Sequence, residues 1–504
     1  MMEYPAVRIL FVATEAVPFA KTGGLADVCG SLPAELAALG HEVALIMPAF
    51  RQVHRAGRTL EPLGISLEIP IGTKVVRGEL LRSTLDGDVP VYFIRQDDYY
   101  DRDGLYGDAT GDYKDNCERY VFFNRAVMDA IRALDLRVDL LHAHDWMAAL
   151  SIAYLANEYR AIPGYEQIAT VFTIHNLAYQ GTFWHWDMLL TGLDWKFFNW
   201  RQMEFFGNLN LMKTGLVFAD MLSTVSPRYA EEIQSAPLGC GLEGVLQHRR
   251  NVLRGIVNGV DYRAWNPETD PHLPARYGVE NFVEGKAACK RALQEELGLP
   301  VRPDVPLLGF IGRLADQKGF DLIESIVGEW SDTADVQWAF LGTGDMKYHR
   351  LMENVHQRHP ERVAARLTFS EPLAHRIEAG CDMFLMPSRF EPCGLNQLYS
   401  LKYGTVPIVR VTGGLADTIV DTNGDTLASG TATGFAFTEY TGQALSQTLR
   451  RAEAIFRKEP EVWRQIVTAG MKQDWSWSRS ARQYVDLYRQ AIATRRQAPT
   501  TAGR

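Results

Sequence analysis

The strongest constraint on this chain's fold is a set of short apolar segments that do not alternate. Residues 7–13 read VRILFVA and residues 306–311 read PLLGFI. A strand with one wet face alternates polar and apolar residues. A strand buried on both faces does not, and such strands belong to parallel sheets covered by helices. After the first run come a loop with Pro18, Gly23 and Gly24, a helical stretch over 25–39 closed by Gly40, and the apolar run EVALIM over 42–47. Glycine ends helices readily because it accepts a left-handed backbone. Strand, helix and strand in that order make a βαβ unit and predict an open parallel sheet.

Residues 138–141 and 169–174 read as further strands, each running into a histidine-bearing loop. The pattern restarts at 306–311, with a loop over 312–318, a helix from Phe320 and apolar runs at 336–341, 383–386 and 406–409. Between the halves, 258–277 carries Gly259, Pro267, Pro271 and Pro274, which marks a domain junction. Residues 478–492 are helical in pattern and 495–504 read as a frayed tail. A chain of 504 residues supports two or more cores. Two doubly wound α/β domains are therefore expected, with ligands beyond the carboxyl ends of the strands, in a cleft between them.

The bulk chemistry excludes several classes. The net charge is −9, from 52 basic and 61 acidic residues, which argues against a nucleic-acid partner. No apolar run reaches the ~20 residues of a membrane span. The start lacks a basic stretch before its apolar segment, so no signal peptide is expected and the cytoplasm is the expected location. The six cysteines, at 29, 117, 240, 289, 381 and 393, show no C-x-x-C spacing and read as small, mostly buried residues.

Four loops could carry chemistry. Lys21 precedes Gly23 and Gly24 at a helix start, where backbone amides attract anions and glycine lets a ligand approach. The glycine spacing fits neither a P-loop nor G-x-G-x-x-G, so a plain tight turn stays open. The six letters TGGLAD at 22–27 recur at 412–417, which suggests a Gly-rich turn at a helix start in each half. Arg313 and Lys318 follow an apolar strand and suit a diphosphate, although a solvated pair fits the spacing equally. Residues 388–395, SRFEPCGL, offer Glu391 for sugar hydroxyls and the amides of Gly394 and Leu395 for phosphate, or simply a capped helix start. The strand-end groups HAHDW (142–146) and TIHN (173–176) place histidine and aspartate near one another without a metal-specifying spacing. Two D-x-D triplets, at 86–88 and 101–103, lie in turn-like sequence away from these loops, so no metal is expected there.

Taken together, KTGGLADV (21–28), HAHDW (142–146), HNLAYQG (175–181), VSPRYAEEI (225–233), NGVD (258–261), GRLADQKG (312–319), PSRFEPCGLNQL (387–398) and YGTVPIVRVTGGLADT (403–418) resemble the bacterial glycogen synthase and plant starch synthase family, in its order and over nearly the whole chain. The resemblance implies the GT-B fold: two doubly wound Rossmann-like domains facing a central cleft, with 1–262 on the acceptor side, 263–477 on the nucleotide-sugar side, and 478–504 as a helix crossing back to the first domain before a frayed tail. It implies a retaining glycosyltransferase that moves glucose from ADP-glucose to the non-reducing end of an α-1,4-glucan, releasing ADP, with no metal or other cofactor.

The same resemblance implies the site. Arg313 and Lys318 hold the leaving diphosphate, Glu391 bonds hydroxyls of the transferred glucose, and His175 orients that sugar. Lys21 contacts the donor near its phosphates. Asp145 and Asn258 lie near the sugar, Glu15 in the acceptor region, and Cys393 in the donor pocket. Gly23, Gly394, Leu395 and Gly414 offer backbone contacts, and Phe369 stands where a tyrosine often stacks on the adenine. Two departures are visible: Tyr399 occupies the place of a second glutamate common in retaining GT-B enzymes, and Asn396 that of a threonine near the phosphates. No back-face nucleophile is evident, which favours a front-face route in which the departing phosphate takes the acceptor's proton. Another donor or acceptor on the same fold, a pyridoxal-dependent phosphorylase and a non-catalytic glucan-binding protein are the alternatives.

Overall fold

The run at 7–13 becomes strand β1 (Arg8–Val12), and its residues from Ile9 onward are at most 3% exposed. Such a strand needs covering on both faces, and the computed structural model, which describes residues 6–497, builds two sheets of this kind. The chain divides into one unit running to Ile256 and resuming at Trp477, and another spanning Val257–Ser476.

In the first unit the large sheet contains β1, β2 (Glu42–Pro48), β3 (Glu61–Ile71), β4 (Lys74–Thr84), β5 (Pro90–Arg95), β6 (Leu140–His144), β7 (Ala169–Ile174), β8 (Met221–Thr224) and β9 (Leu253–Gly255). Its order is β9-β8-β7-β6-β1-β2-β5-β4-β3. Every pairing from β9 to β5 is parallel, whereas β5-β4 and β4-β3 are antiparallel. The β3-β4 hairpin is an antiparallel addition to the parallel core of the sheet. Its signal is alternation: Leu67, Ile69 and Ile71 are buried while Glu68 and Pro70 are exposed, the pattern of an edge strand with one wet face.

The second unit holds β10 (Leu307–Ile311), β11 (Gln337–Leu341), β12 (Val363–Arg366), β13 (Met383–Met386), β14 (Val406–Arg410) and β15 (Phe435–Phe437), ordered β12-β11-β10-β13-β14-β15 and wholly parallel. This is the doubly wound order of dinucleotide-binding sheets. The strand order reverses between β1 and β6 in one unit and between β10 and β13 in the other, so each unit has its crevice at the carboxyl ends of those strands.

The unit boundaries fall at 256/257 and 476/477, where the sequence reading put them at 262/263 and 477/478. The reason is local pairing. Leu253–Gly255 still pairs with β8, whereas the amide of Val260 donates to Trp475 O at 2.7 Å inside the second unit. The last helix, Trp477–Gln497, packs in the first unit with Ala481, Tyr484, Tyr488 and Ala491 buried. It runs beyond the expected end at 492, so residues 495–497, read as part of a frayed tail, are helical, and Arg495 pairs with Asp220 at 3.9 Å. Residues 498–504 of that expected tail lie outside the described residues. Among the described residues no helix is long and apolar enough to cross a membrane.

The Tyr488 hydroxyl meets His142 Nδ1 at 2.9 Å across 346 residues of sequence, in a fully buried place. Tyr488→Phe leaves that imidazole nitrogen without its partner, and a buried orphan costs about 1–3 kcal/mol. Urea denaturation is expected to show a lower midpoint with an unchanged slope. An unchanged midpoint would mean that this bond contributes nothing.

Candidate functional site

The loop after β1 is organised by Glu15, a buried carboxylate at 3% exposure. Its oxygens accept from the backbone amides of Thr22 (2.5 Å) and Gly23 (3.1 Å), the Thr22 hydroxyl (2.7 Å) and the Tyr106 hydroxyl (2.6 Å). Glu15 thus acts as a strut that fixes the Gly-rich loop from below. Gly23 caps helix Gly24–Ala38, and a Cβ at Gly23 or Gly24 would meet nothing within 4 Å, so both glycines front open space. Lys21, half exposed, holds Asp27 at 2.6 Å.

His142 and His144, at i and i+2 on β6, face the same side of the sheet, and both are fully buried. His144 Nδ1 meets His175 Nε2 at 3.0 Å and its ring stacks on Phe11. Its Nε2 is buried with no partner among the described residues. His144 therefore orients His175, a role that the H-x-H spacing could have signalled and that the sequence reading did not assign. Asp145 opens helix Asp145–Asn157 at φ +55, a left-handed backbone that few non-glycine residues adopt. The backbone amide of His175 donates to its carboxylate at 2.8 Å. Burial pushes the Asp145 carboxyl up to about 7 against the backbone donors of His175 and Asn176, with the Glu15 charge adding to the rise. Burial also depresses His175 to about 3, so this imidazole is neutral at physiological pH.

In the second unit the loop after β10 meets the loop after β13. Lys318 Nζ donates to Glu391 Oε2 at 2.6 Å, and the Ser388 hydroxyl donates to the same oxygen at 3.1 Å. Glu391 is 5% exposed and Lys318 only partly covered. Gly319 follows at φ +75, and a Cβ there would lie 2.0 Å from Pro387 O, so only glycine lets these loops touch. Arg313 donates to Gln317 Oε1 at 2.8 Å. Cys393 is buried, its thiol pushed up to about 12 by desolvation, and its sulfur takes a backbone hydrogen bond from Asn258. The Asn258 Oδ1 is buried without a partner among the described residues. Gly394 at φ +71 and Leu395 lead into helix Asn396–Tyr403, and Asn396 donates to Ile311 O at 2.9 Å, tying that helix to the end of β10.

The repeated TGGLAD starts a helix in both units but meets different surroundings. The Gly414 amide donates to the backbone oxygens of Glu391 and Pro392, both at 3.1 Å. A Cβ on Gly413 would approach Glu391 O to 1.9 Å, and one on Gly414 would approach Cys393 O to 2.0 Å. In the second unit these glycines seat the Glu391 loop; in the first, their counterparts face open space. Phe369, after β12, presents an uncovered ring at 80% exposure. Tyr399 lies flat on Trp265 (3.9 Å, 1°), which stacks on His375 (3.7 Å, 10°), so the position of a second glutamate is filled by an aromatic stack. Among the described residues no group of three or more His, Cys, Asp or Glu side chains could hold a metal. The 101–103 triplet is engaged by Arg51, at 2.7 and 2.5 Å.

Gly414→Ala cannot be accommodated without moving the Cys393 backbone, so it should lower the melting temperature and displace the Glu391 loop. Unchanged melting would show that the loop yields freely. An acid whose pKa rises on folding lends stability that is full below its ordinary value and is lost as pH rises to its folded value, here from 3.8 to about 7 for Asp145. His175, depressed from 6.5 to about 3, lends stability that is full above its ordinary value and is lost as pH falls. The two trends oppose each other, and asparagine tolerates the left-handed backbone. Asp145→Asn should therefore gain stability at pH 7–8 relative to the parent and lose it more steeply on acidification, measured as urea midpoints against pH. Parallel profiles for the two proteins would refute the assignment.

Comparison with known proteins matches residues 8–248 to the family described as starch synthase catalytic domain and residues 296–465 to glycosyl transferases group 1. The glycogen synthase of Rhodopirellula baltica is 48% identical over 501 residues, covering 97% of this chain and 99% of that protein. That of Anaeromyxobacter dehalogenans is 49% identical over 487 residues, covering 96% and 99%. Among solved structures, the catalytic domain of starch synthase IV from Arabidopsis thaliana, bound to ADP and acarbose, superposes with a TM-score of 0.89 at 32% identity, over 97% of this chain and 100% of that one. Sucrose-phosphate synthase from Thermosynechococcus elongatus, at a TM-score of 0.57 and 17% identity over 97% of this chain and 99% of that one, shares the fold alone. The two α/β units carry the GT-B fold, and the chain is a glycosyltransferase that belongs to the bacterial glycogen synthase and starch synthase family.

Proposed function

We propose that this chain elongates an α-1,4-glucan in the cytoplasm, transferring glucose from ADP-glucose to the non-reducing end with retention of configuration and releasing ADP. The observation that carries the reading is the Lys318–Glu391 pair at the β10/β13 crevice, a cation and a carboxylate at the point where a doubly wound sheet binds its ligand. The nucleotide in the Arabidopsis relative's structure supports an adenine donor.

In this reading Arg313, Lys318 and the amides of Gly394 and Leu395 take the diphosphate. Negative charge grows there as the bond from the anomeric carbon to the phosphate oxygen breaks, so fixed cations lower the barrier. Glu391 accepts from glucose hydroxyls, and the neutral His175 hydrogen-bonds the sugar rather than presenting a charge. The 4-hydroxyl oxygen of the acceptor forms the new bond on the face that the phosphate leaves, and its proton passes to the departing phosphate oxygen. Lys21 and the amide of Gly23 offer an anion contact, Asp145 and Asn258 offer groups for sugar hydroxyls, and Gly414 and Cys393 shape the pocket around Glu391. Phe369 offers a ring face for the adenine. Glu15 acts on the acceptor through the loop that it holds. With two cations assigned to the leaving group, the reading calls for no cofactor.

The test is nucleotide release by purified protein given ADP-glucose or UDP-glucose, each with and without glycogen. Glycogen-dependent ADP release is expected, with Lys318→Ala and Glu391→Ala each lowering it about 100-fold or more. No release from either donor would overturn the reading, and a glycosyl adduct trapped on Asp145→Ala would replace the front-face route with a covalent one.

A further inference from the structure

At the amino ends of β7 and β8, away from the loop that carries His175, three arginines share one carboxylate. Arg160 Nη2 donates to Asp220 Oδ2 at 3.2 Å, and Arg495 Nη1 lies 3.9 Å from Asp220 Oδ1. Arg249 Nη2 donates to the Asp220 backbone oxygen at 3.4 Å. The same carboxylate accepts the Thr170 amide at 2.8 Å and the Thr170 hydroxyl at 2.9 Å. From Thr170 to His175 the chain advances along β7 by about 16 Å, so this cluster is remote from the residues assigned to the reaction.

The cluster is short of negative charge. Three guanidinium groups face one carboxylate, in a chain whose net charge is −9. Burial lowers Arg160 and Arg249 from their ordinary range, and the Arg495 charge adds to the fall at Arg160. The Nε of all three is buried without a partner among the described residues. Arg495 has five N–H groups and a side chain only 12% exposed, yet its contact with Asp220 is too long for a hydrogen bond. Buried donors normally find acceptors, and several left over in one place point to a missing one.

Beside the cluster lies a recess of about 450 Å³. Asp220, His248, Arg249 and Asn251 give it polar groups, and Phe218 and Val252 give it an apolar wall. Its volume is that of a small-molecule site rather than of a lone ion.

We propose that this recess binds a small phosphomonoester, at a site separate from the transfer reaction, with the phosphate on the arginine cluster and the organic part against Phe218 and Val252. A phosphate dianion matches the excess of guanidinium over carboxylate. Forked N–H pairs suit its oxygens better than a point charge does. An anion there also relieves the repulsion between Arg160 and Arg495. Held by both, it would pin the last turn of helix Trp477–Gln497 to the sheet, and that helix carries Tyr488, the partner of His142.

The test is calorimetric titration of the full chain with glycerol 3-phosphate, ribose 5-phosphate and inorganic phosphate, at about 0.15 M salt to screen diffuse attraction. Saturable binding of the two esters is expected. Arg495→Gln should weaken it about tenfold, the loss of one charge-assisted contact. Asp220→Asn, which removes the competing carboxylate, should tighten it. A general loss of structure does not produce opposite directions. The ligand-free melting temperature of Arg495→Gln should match the parent's and report an intact fold. Lys318→Ala, which strips a cation from the second unit's crevice, should leave the affinity unchanged. No saturable heat with any probe would overturn the site. So would an affinity that survives Arg495→Gln and is lost in Lys318→Ala, which would put the anion in that crevice. Inorganic phosphate bound as tightly as the esters would overturn the ester in favour of free phosphate.

Discussion

Everything in this molecule follows from burying the central strands on both faces. β1, β6 and β7 in one unit and β10 and β13 in the other are enclosed by helices. Polar side chains that must meet a ligand are therefore confined to the ends of these strands. Glu15, Asp145 and His175 lie just past β1, β6 and β7; Arg313 and Lys318 lie past β10, and Glu391 past β13. The reversal of strand order opens space at those ends, so one topological rule sets both the location and the membership of each cluster.

Within that frame a carboxylate organises each loop set, by different means. Glu15 bonds the amides of its Gly-rich loop directly, from a buried position that a helix start and a tyrosine hydroxyl help to satisfy. Glu391 is held through its backbone oxygen by the Gly414 amide, which leaves its side chain to Lys318 and Ser388. The same six letters thus serve two purposes. In the first unit glycine keeps a loop surface bare; in the second it lets two loops pack at a distance that any Cβ would forbid.

The doubly wound halves were legible because non-alternating apolar runs have few other uses, and the loops with Lys21, Arg313, Lys318 and Glu391 were legible because they trail such runs. The hairpin Glu61–Ile71/Lys74–Thr84 is hard to see in the sequence because its alternation covers only part of each strand and is interrupted around Pro62 and Gly64. The role of Glu15 was not visible either. Nothing in the letters says that a carboxylate will fold back on amides seven and eight residues later. His144 carried a signal, its i, i+2 spacing from His142, but the contact with His175 joins two strands 31 residues apart and needs the sheet register to appear. The helix end at Gln497 was missed because Arg495 and Arg496 look like a polar tail, whereas Arg495 faces Asp220.

Both lysines that the proposed reaction directs at phosphate already hold a carboxylate, Lys21 on Asp27 and Lys318 on Glu391, each at 2.6 Å. A single carboxylate fixes the position of an ammonium group without saturating its three donors. A diphosphate brings more charge and more acceptor oxygens than one carboxylate, so it competes well for Lys318. Drawing that lysine away leaves Glu391 Oε2 with the neutral Ser388 hydroxyl as its remaining donor, and a buried carboxylate so reduced favours a further one. Sugar hydroxyls are such donors. In the proposed function, therefore, the pairing seen without ligand couples the two halves of donor recognition: diphosphate binding uncovers the carboxylate that glucose satisfies, and a nucleotide lacking its sugar leaves that buried oxygen with Ser388 alone. The same logic explains why Ser388 sits beside Glu391. Its hydroxyl keeps one bond on the carboxylate throughout the exchange.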